Sequence, residues 1–318
     1  MPVYTFTTID DPLATQASGG TEAFGINNAG QIVGQYNIFA HGFLLSGTTY
    51  TTLDDGSAGT GAWGINGSGQ IVGQFVNSGV TDGFLRSGGG TFTTLIDTDP
   101  SAVSTAAHGI NNRGEIVGIY RRNTTPVLKG FVFDPRFGTY ATLFDPLASA
   151  NTIPYGINDA GQVVGSYDTH SFLLSGGVYT TLDDPAASAT GFTEAHGINN
   201  LGQIVGTYQD ARGQHGFLYS GGTYTNFDVP SVNGQTFAYG INDAGQIVGY
   251  YSNNTGNHGF LLTITPNPPP PAGTTADMIL RRADGTYEIY DNGNNAILAG
   301  YELGHVGTDW KLAPVCVK

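Results

Sequence analysis

GINNAGQIVGQY, residues 25–36, is the first of six copies of one motif. The spacings between successive copies are 39, 45, 47, 41 and 43 residues, with a mean of 43. A period of ~40–45 residues is typical of the four-stranded blades of β-propellers. The spacing therefore predicts one blade for each copy. The copies begin at Gly25, Gly64, Gly109, Gly156, Gly197 and Gly240.

Two further elements follow the motif in a fixed order. HGFLLS (41–46) comes first, and TYTTLDD (49–55) comes after a turn that contains glycine. These segments are rich in β-branched and aromatic residues and are bounded by Gly, Asn, Asp or Pro, which is typical of strands. The Asn-x-x-Gly step after each Gly-Ile predicts a tight reversal, because Asn and Gly tolerate positive φ. One unit is therefore four strands joined by short turns.

The number of copies of each element predicts how the ring closes. The first two elements occur six times, but only five TYTTLDD-type strands follow them. The missing copy is VYTFTTIDDP, which opens the chain at residues 3–12. We therefore predict an all-β, six-bladed propeller over residues 1–265, in which the N-terminal strand (3–10) completes the last blade. Closure of this kind pairs two otherwise open strand edges. An open solenoid is the alternative, although it needs no permuted strand.

The remaining residues differ in composition from the repeats. Residues 266–275 contain PNPPPPAG and predict a stiff, extended linker, because proline fixes φ and removes hydrogen-bond donors. Residues 276–318 contain strand-like runs around turns, and about 43 residues without a disulfide or metal are marginal as an independent domain. We expect this tail to be a partial β-repeat.

Composition excludes several classes of protein. The chain has a formal net charge of −14, which argues against nucleic acid and anionic membranes as partners, because both require clustered Lys and Arg. No apolar run is long enough for a membrane-spanning helix, and the first residues lack the pattern of a signal peptide. Cys316 is the only cysteine, so no intramolecular disulfide is possible. We expect a monomer that binds no nucleic acid and does not insert into a membrane.

The strings GINNxGQIVGxY, HGFLLxxG and YTTLDDP together resemble the HAF repeat family, a set of probable bacterial extracellular repeat proteins. The resemblance covers residues 3–263. The His-Ala-Phe triplet of that family is His-Gly-Phe or His-Ser-Phe here, with Asp82 and Lys129 in place of His in two units. The resemblance implies an extracellular or cell-surface location, and it implies no particular activity.

The tail has a resemblance of its own. ADMILRRADGTYEIYDNGNNAILAGYELGHVGTDW (276–310) is similar to a repeat found near the C-termini of large secreted rhizobial proteins. Those repeats usually continue into a stretch rich in Gly and Phe, whereas this sequence ends in KLAPVCVK. The resemblance implies export.

The residue before each Gly-Ile-Asn is an aromatic ring. One interpretation is a circle of stacking platforms near the channel mouth, suited to sugars or other flat ligands. The other, which we favour for most of them, is packing between blades, because strand alternation puts each ring on the face of the Ile two positions later. The six residues are Phe24, Trp63, His108, Tyr155, His196 and Tyr239.

Two positions before these rings, only two repeats carry a carboxylate, Glu22 and Glu194. Their blades are separated by a single blade in a ring of six. Paired carboxylates roughly 5–9 Å apart can cleave a glycosidic bond, one as the acid and one as the nucleophile or base. We therefore take these residues, with His108 and His196, as weak candidates for catalysis. Two solvated glutamates at the starts of strands are the competing interpretation.

The sequence predicts no metal site and no cofactor, with Ca²⁺ as the alternative. One histidine of the third strand occurs per blade, which favours a repeated structural hydrogen bond over a metal cluster. The Asp-Asp-Pro steps, such as residues 10–12, could supply oxygens to Ca²⁺, but they fit capped turns equally well. The asparagine of each Gly-Ile-Asn suits a turn or a blade-to-blade bond. These histidines are His41, His170, His215 and His258.

We predict a secreted or surface-associated binding module that recognises carbohydrate or a cell-surface protein partner. The alternative is a polysaccharide hydrolase or lyase at the channel mouth, and a further alternative is a structural scaffold without a ligand. The zinc-protease, serine-hydrolase and phosphate-loop motifs are absent from the sequence, which makes the enzyme the weaker hypothesis.

Overall fold

The computed structural model describes residues 2–15, 18–38, 40–56, 59–77, 79–95, 102–123, 125–230, 235–265, 278–281, 287–293 and 296–302. The chain divides into two compact units. One is Phe6–Thr263, and the other combines Met1–Thr5 with Ile264–Lys318.

Six four-stranded sheets form the blades of a propeller, each in the order of the chain except the last. The first strand is β1 (Val3–Thr8). Blade 1 contains β2 (Thr21–Ile26), β3 (Ile32–Tyr36), β4 (His41–Ser46) and β5 (Thr49–Leu53). Blade 2 contains β6 (Thr60–Ile65), β7 (Ile71–Asn77), β8 (Val80–Arg86) and β9 (Phe92–Leu95). Blade 3 contains β10 (Ala102–Ile110), β11 (Ile116–Arg122), β12 (Thr125–Asp134) and β13 (Thr139–Leu143).

The second half of the ring repeats this arrangement. Blade 4 contains β14 (Thr152–Ile157), β15 (Val163–Tyr167), β16 (His170–Ser175) and β17 (Val178–Thr181). Blade 5 contains β18 (Thr193–Ile198), β19 (Ile204–Asp210), β20 (Gly213–Ser220) and β21 (Thr223–Phe227). Blade 6 contains β22 (Gln235–Ile241), β23 (Ile247–Asn253) and β24 (Gly256–Thr265), and its outermost strand is β1. The prediction of an all-β, six-bladed propeller closed by the N-terminal strand is confirmed.

The tail forms a separate three-stranded sheet of β25 (Met278–Arg281), β26 (Tyr287–Gly293) and β27 (Ala296–Glu302). Successive strands pair antiparallel. The predicted linker, residues 266–275, lies outside the described residues. The domain boundaries given above therefore stay predictions.

The hydrophobic core lies between neighbouring blades. Val33 and Leu53 of blade 1 pack with Ala62, Ile71 and Phe84 of blade 2, all of them buried. The phenylalanine of the third strand is fully buried in every blade, which explains why the repeat keeps an aromatic residue there. These side chains are Phe43, Phe84, Phe131, Phe172, Phe217 and Phe260.

Candidate functional site

The innermost strand of each blade lines a central channel with two different mouths. The aromatic mouth, as we call it, is the end where these strands begin, bounded by Glu22, Gly61, Ala106, Ile153, Glu194 and Phe237. The asparagine mouth is the other end, bounded by Asn28, Gly67, Asn112, Asp159, Asn200 and Asp243. Cavities of about 80 Å³ and about 90 Å³ lie inside these two mouths. Both volumes are far below the ~300–1,000 Å³ of ordinary ligand pockets, so the channel is filled by side chains and is too narrow for a ligand.

Six buried asparagines close the asparagine mouth with a continuous ring of hydrogen bonds. Each side-chain amide donates to the main-chain carbonyl of the equivalent asparagine on the next blade, over 3.0–3.2 Å. Each side-chain oxygen accepts main-chain amides of its own turn, as Asn27 Oδ1 does from Ala29 and Gln31. Each asparagine therefore stabilises its own turn and also binds the next blade. They are Asn27, Asn66, Asn111, Asn158, Asn199 and Asn242.

A second, exposed ring surrounds the first. The main-chain amide of Asn112 donates to Asp159 Oδ1 at 2.8 Å, and the amide of Asp159 donates to Asn200 Oδ1 at 2.8 Å. Asp243 continues the pattern by donating its main-chain amide to Asn28 Oδ1 at 2.8 Å. These polar side chains accept or donate hydrogen bonds to neighbouring blades, so this mouth holds the ring of blades together.

A β-bulge at the aromatic residue shapes the inner strand of every blade. In blade 1 the pairing register shifts between Ala23 and Gly25, so Phe24 is the extra residue. The same shift occurs at the equivalent position of the other five blades. A bulge re-aims the side chain that it carries and frees a main-chain carbonyl. The six rings therefore turn towards one another around the axis.

The six rings form a closed collar in which each contacts its two neighbours. Phe24 stacks on Trp63 with centroids 4.3 Å apart, and His196 stacks on Tyr239 at 4.3 Å. The remaining neighbour distances lie between 4.9 and 5.5 Å. Phe24, His108 and His196 are buried, which is the inter-blade packing expected for most of them. Trp63, Tyr155 and Tyr239 are half-buried and keep part of their surface exposed.

The two histidines of the collar bind the next blade. His108 Nδ1 lies 2.9 Å from the carbonyl oxygen of Pro154, and His196 Nδ1 lies 2.9 Å from that of Ala238. These carbonyls directly precede the bulged residues of blades 4 and 6. Burial lowers the pKa of His108 to about 4, although the hydrogen bond to the carbonyl of Pro154 acts to raise it. His108 is therefore neutral at physiological pH and acts as a hydrogen-bond donor.

Glu22 lies at the aromatic mouth with its carboxylate held by two amides. Gln35 Nε2 donates to one oxygen at 2.6 Å, and Asn257 Nδ2 of blade 6 donates to the other at 2.5 Å. Burial raises the pKa of Glu22, and these two bonds oppose the rise. The carboxylate is thus positioned by neighbours on two blades, unlike the solvated side chain of the competing interpretation.

Glu194 is in blade 5, so it lies on the opposite side of blade 6 from Glu22, which is in blade 1. Its Oε2 is 3.5 Å from Nε2 of the buried His196. Burial raises the pKa values of Tyr239 and Tyr250, and the charges of Glu22 and Glu194 raise both further. The two carboxylates therefore act on the same two tyrosines of blade 6, as expected for blades that flank a common neighbour.

Three buried polar atoms at the aromatic mouth have no hydrogen-bond partner in the described chain: Gln35 Oε1, Trp63 Nε1 and Thr207 Oγ1. Gln35 Oε1 and Trp63 Nε1 flank the same space, since a Cβ added to Gly61 would lie 2.9 Å from the first and 3.2 Å from the second. Thr207 stands opposite Glu194 in the strand register. Unpaired buried polar atoms are rare in proteins, and these three are able to hydrogen-bond to a ligand or to water at the mouth.

The histidines of the third strand have a structural role. Each Nδ1 bonds an aspartate that follows the fourth strand of the same blade, at 2.7–2.9 Å. Each ring also packs on a tyrosine of the second strand. In the described part of the chain, no group of three or more His, Cys, Asp or Glu side chains could hold a metal ion. The bonded pairs are His41–Asp54, His170–Asp183, His215–Asp228 and His258–Asp10.

Comparison with known proteins supports the architecture alone. A family model described as "Protein of unknown function (DUF3466)" matches residues 91–177. No curated protein matches the chain. No helix in the described residues is long and apolar enough to cross a membrane.

Solved propeller structures are similar in fold. A streptogramin B lyase is 12% identical with a TM-score of 0.51, over 90% of this chain and 94% of that chain. A gluconolactonase from Xanthomonas campestris is 14% identical with a TM-score of 0.53, over 82% of this chain and 89% of that chain. A putative gluconolactonase is 12% identical with a TM-score of 0.50, over 83% of this chain and 92% of that chain. At this identity the likeness shows the fold and carries no information about substrate.

The structure brings the six ring residues into one collar and places the two carboxylates on the blades that flank blade 6. It also adds three residues that the sequence analysis missed. Gln35, Asn257 and Tyr250 complete the surroundings of the two carboxylates. Two of them could have been found from the sequence, because the residue that follows Ile-Val-Gly or Val-Val-Gly in the motif varies between blades. It is Gln35 in blade 1 and Tyr250 in blade 6. Asn257 lies in a hairpin outside the motifs, and only the fold places it beside Glu22.

Proposed function

We propose that the aromatic mouth binds carbohydrate and that the protein is a secreted or surface-associated binding module. The observation that carries this proposal is the difference between the two mouths. The polar groups of the asparagine mouth satisfy one another, whereas the aromatic mouth combines unpaired Gln35 Oε1 and Trp63 Nε1 with a carboxylate on either side of blade 6. The resemblance of the repeats to the HAF family supports the location.

Carbohydrate suits this mouth better than an apolar ligand. A sugar hydroxyl both donates and accepts, so it complements a carboxylate, an amide oxygen and an indole N–H together. The apolar face of a sugar packs on the exposed part of an aromatic ring, and Trp63, Tyr155 and Tyr239 offer such surface. Because the channel is too narrow for a ligand, the saccharide would lie across the mouth.

The test is a glycan array followed by calorimetric titration with the full chain. We expect Trp63→Ala to weaken saccharide binding by about tenfold or more, since loss of a central aromatic contact costs ~1–2 kcal/mol or more. Phe137→Ala is the matched control, because Phe137 is 74% exposed in the turn between β12 and β13, away from this mouth. Saccharide binding that survives both Trp63→Ala and Glu194→Gln would contradict the proposal. Each titration is repeated with chelator to test Ca²⁺.

A second candidate function is cleavage of a polysaccharide at the same mouth. The raised pKa of Glu22 favours it, because a general acid must hold its proton at the working pH. Glu194 would then be the nucleophile or base. Loss of chain length in a bound polysaccharide, abolished by Glu22→Gln with little change in melting temperature, would place the enzyme ahead. Binding without any cleavage would leave the binding module as the function.

A further inference from the structure

Among the six equivalent positions at the start of the inner strands, only residue 61 has no side chain. In blade 1 the equivalent residue is Glu22, which pairs with Gln35 in the strand register and accepts a hydrogen bond from its amide at 2.6 Å. In blade 2 the corresponding pair is Gly61 and Gln74. Blade 2 therefore keeps the amide of this pair and lacks the carboxylate. The other equivalent residues are Ala106, Ile153, Glu194 and Phe237.

The fold does not require a glycine at position 61. The φ angle of Gly61 is not positive, so its backbone suits any L residue. A Cβ at this position would contact the ends of side chains, 2.9 Å from Gln35 Oε1 and 3.2 Å from Trp63 Nε1. A Cβ on Gly64 would instead lie 2.9 Å from the main-chain carbonyl oxygen of His108. A strand glycine without such a backbone constraint often marks a place that a ligand approaches closely.

Two buried polar atoms border the space that Gly61 leaves, which we call the blade-2 gap. Gln35 Oε1 is an acceptor on a side chain that is 1% exposed, and Trp63 Nε1 is a donor. Neither has a hydrogen-bond partner among the described residues. The bond from Gln35 Nε2 to Glu22 fixes the orientation of the amide, which leaves Oε1 beside the gap. Because both atoms lie about 3 Å from one point, a single small group is able to contact both.

A hydroxyl is the group whose hydrogen-bonding capacity matches these two atoms. It accepts a hydrogen bond from the indole N–H and donates its own proton to the amide oxygen. A carboxylate only accepts and an ammonium only donates, so each would leave one of the two buried atoms unpaired. An ether or ester oxygen has no proton to donate to Gln35. The gap therefore favours an unsubstituted hydroxyl.

We propose that the blade-2 gap binds one unsubstituted hydroxyl of the saccharide, and that Gly61 keeps the gap open. This inference rests on the proposed carbohydrate function and adds a subsite and a rule of selectivity. The half-buried ring of Trp63 packs on the sugar that carries the hydroxyl. Since both polar atoms are shielded from solvent, the side chain of Trp63 must shift as the hydroxyl enters.

The first test places a hydroxyl in the gap by mutation and needs no ligand. Gly61→Ser should melt about 2 °C or more above Gly61→Ala, because only the serine is able to hydrogen-bond to the buried atoms. The matched control pair is Gly89→Ser and Gly89→Ala, in an exposed turn of the same blade. These two variants should melt within about 1 °C of each other.

The second test follows the indole N–H of Trp63 by NMR in the full chain. The chain has two tryptophans, so Trp310→Phe identifies the signal of Trp63. The probes are cellohexaose, maltohexaose and mannohexaose, each compared with its per-O-methyl ether, which has no hydroxyl. At least one free hexasaccharide should shift the Trp63 signal saturably, and its ether should not. Gly61→Ser should weaken that binding by about tenfold or more, whereas Gly89→Ser should leave it unchanged.

Each outcome separates this inference from the function on which it rests. Equal affinity for a hexasaccharide and its ether, or for wild type and Gly61→Ser, would overturn the subsite. Glycan binding that is lost in Trp63→Ala would still leave the carbohydrate site standing. Equal melting temperatures for Gly61→Ser and Gly61→Ala would show that no hydroxyl fits the gap. A stabilised Gly61→Ser, with no Trp63 shift from any hexasaccharide, would mean that the gap holds only water. Both results overturn the inference, and the glycan array decides the carbohydrate function independently.

Discussion

The side-chain amide of Asn242 donates a hydrogen bond to the main-chain carbonyl of Asn27, which lies 215 residues earlier in the chain, at 3.2 Å. This bond joins the last blade to the first and completes the ring that the other five asparagines form. Closure at the axis is thus made by the same residue that builds each turn. The outer edge closes separately, where β1 adds the fourth strand of blade 6.

Removal of one member of the asparagine ring should therefore destabilise the whole propeller. Asn158→Ala leaves main-chain amides of its own turn and the carbonyl of Asn199 without their partner. We expect a loss of about 2–4 kcal/mol in the free energy of unfolding, because several buried polar groups are orphaned together. Urea denaturation measures it. Asn112→Ala, on the exposed outer ring, is the control and should cost less than about 1 kcal/mol.

The glycine of each Gly-Ile-Asn is fixed by the approach of neighbouring blades at the axis. A Cβ added to Gly109 would lie 2.6 Å from the carbonyl oxygen of Tyr155 on the next blade. Gly109→Ala should therefore cost about 3 kcal/mol or push the inner strands apart. Gly89→Ala is the matched control, since its added Cβ would meet only Ser87 Oγ at 3.8 Å. Equal melting temperatures for the two variants would contradict the close approach.

The sequence was sufficient to predict the fold because each repeat is compared with five others in the same chain. The absence of a TYTTLDD-type segment from the sequence after β24 and its presence at residues 3–12 predicted the closure of blade 6. The β-bulge at Phe24 was not predictable from alternation, because the motif continues through it without an unusual residue. The bulge turns the rings towards one another, so stacking within the collar covers Phe24, His108 and His196 and leaves only part of the other three rings exposed to a ligand.

The candidate site was predictable only in part, for a related reason. Glu22 and Glu194 were visible because the other blades lack a carboxylate there. The contact of Asn257 with Glu22 was not visible, since Asn257 belongs to another blade and reaches Glu22 only through ring closure. Likewise, blade 3 has Lys129 and Phe144 at the positions where four other blades have a hydrogen-bonded His and Asp. This exchange can be recognised only when the two positions are known to lie in contact.

Closure by β1 depends on Phe6. Its ring lies 5.8 Å from that of Phe260 and 6.3 Å from that of Phe227, so it packs on blade 6 and on blade 5. Phe6→Ala should lower the free energy of unfolding by about 2–4 kcal/mol through lost burial at this junction. Thr7→Ala, an exposed neighbour on the same strand, should change it by less than about 0.5 kcal/mol. Similar urea midpoints for both variants would refute the role of Phe6.

Glu22 should make the propeller less stable as pH rises through the acid range. Burial raises its pKa in the folded state, so the folded protein holds this proton more tightly than the unfolded chain. Stability is therefore lost between the unfolded pKa, near 4.5, and the higher folded value. Glu22→Gln should remove that component from a series of melting temperatures. The same difference between wild type and variant at every pH would show that Glu22 does not contribute it.

His108 should produce the opposite dependence at higher pH. Its pKa falls from 6.5 to about 4 on folding, because burial penalises the charged ring. The unfolded chain then binds this proton more tightly, so the stability is fully present above pH 6.5 and is lost as the pH falls towards 4. That window is worth about 3 kcal/mol. His108→Tyr, which copies the residue of blades 4 and 6, should flatten the stability of the propeller between pH 4 and 6.5. NMR of the wild type should find the His108 ring neutral at pH 5, and a ring that gains its proton near pH 6.5 would refute both the burial argument and the predicted slope.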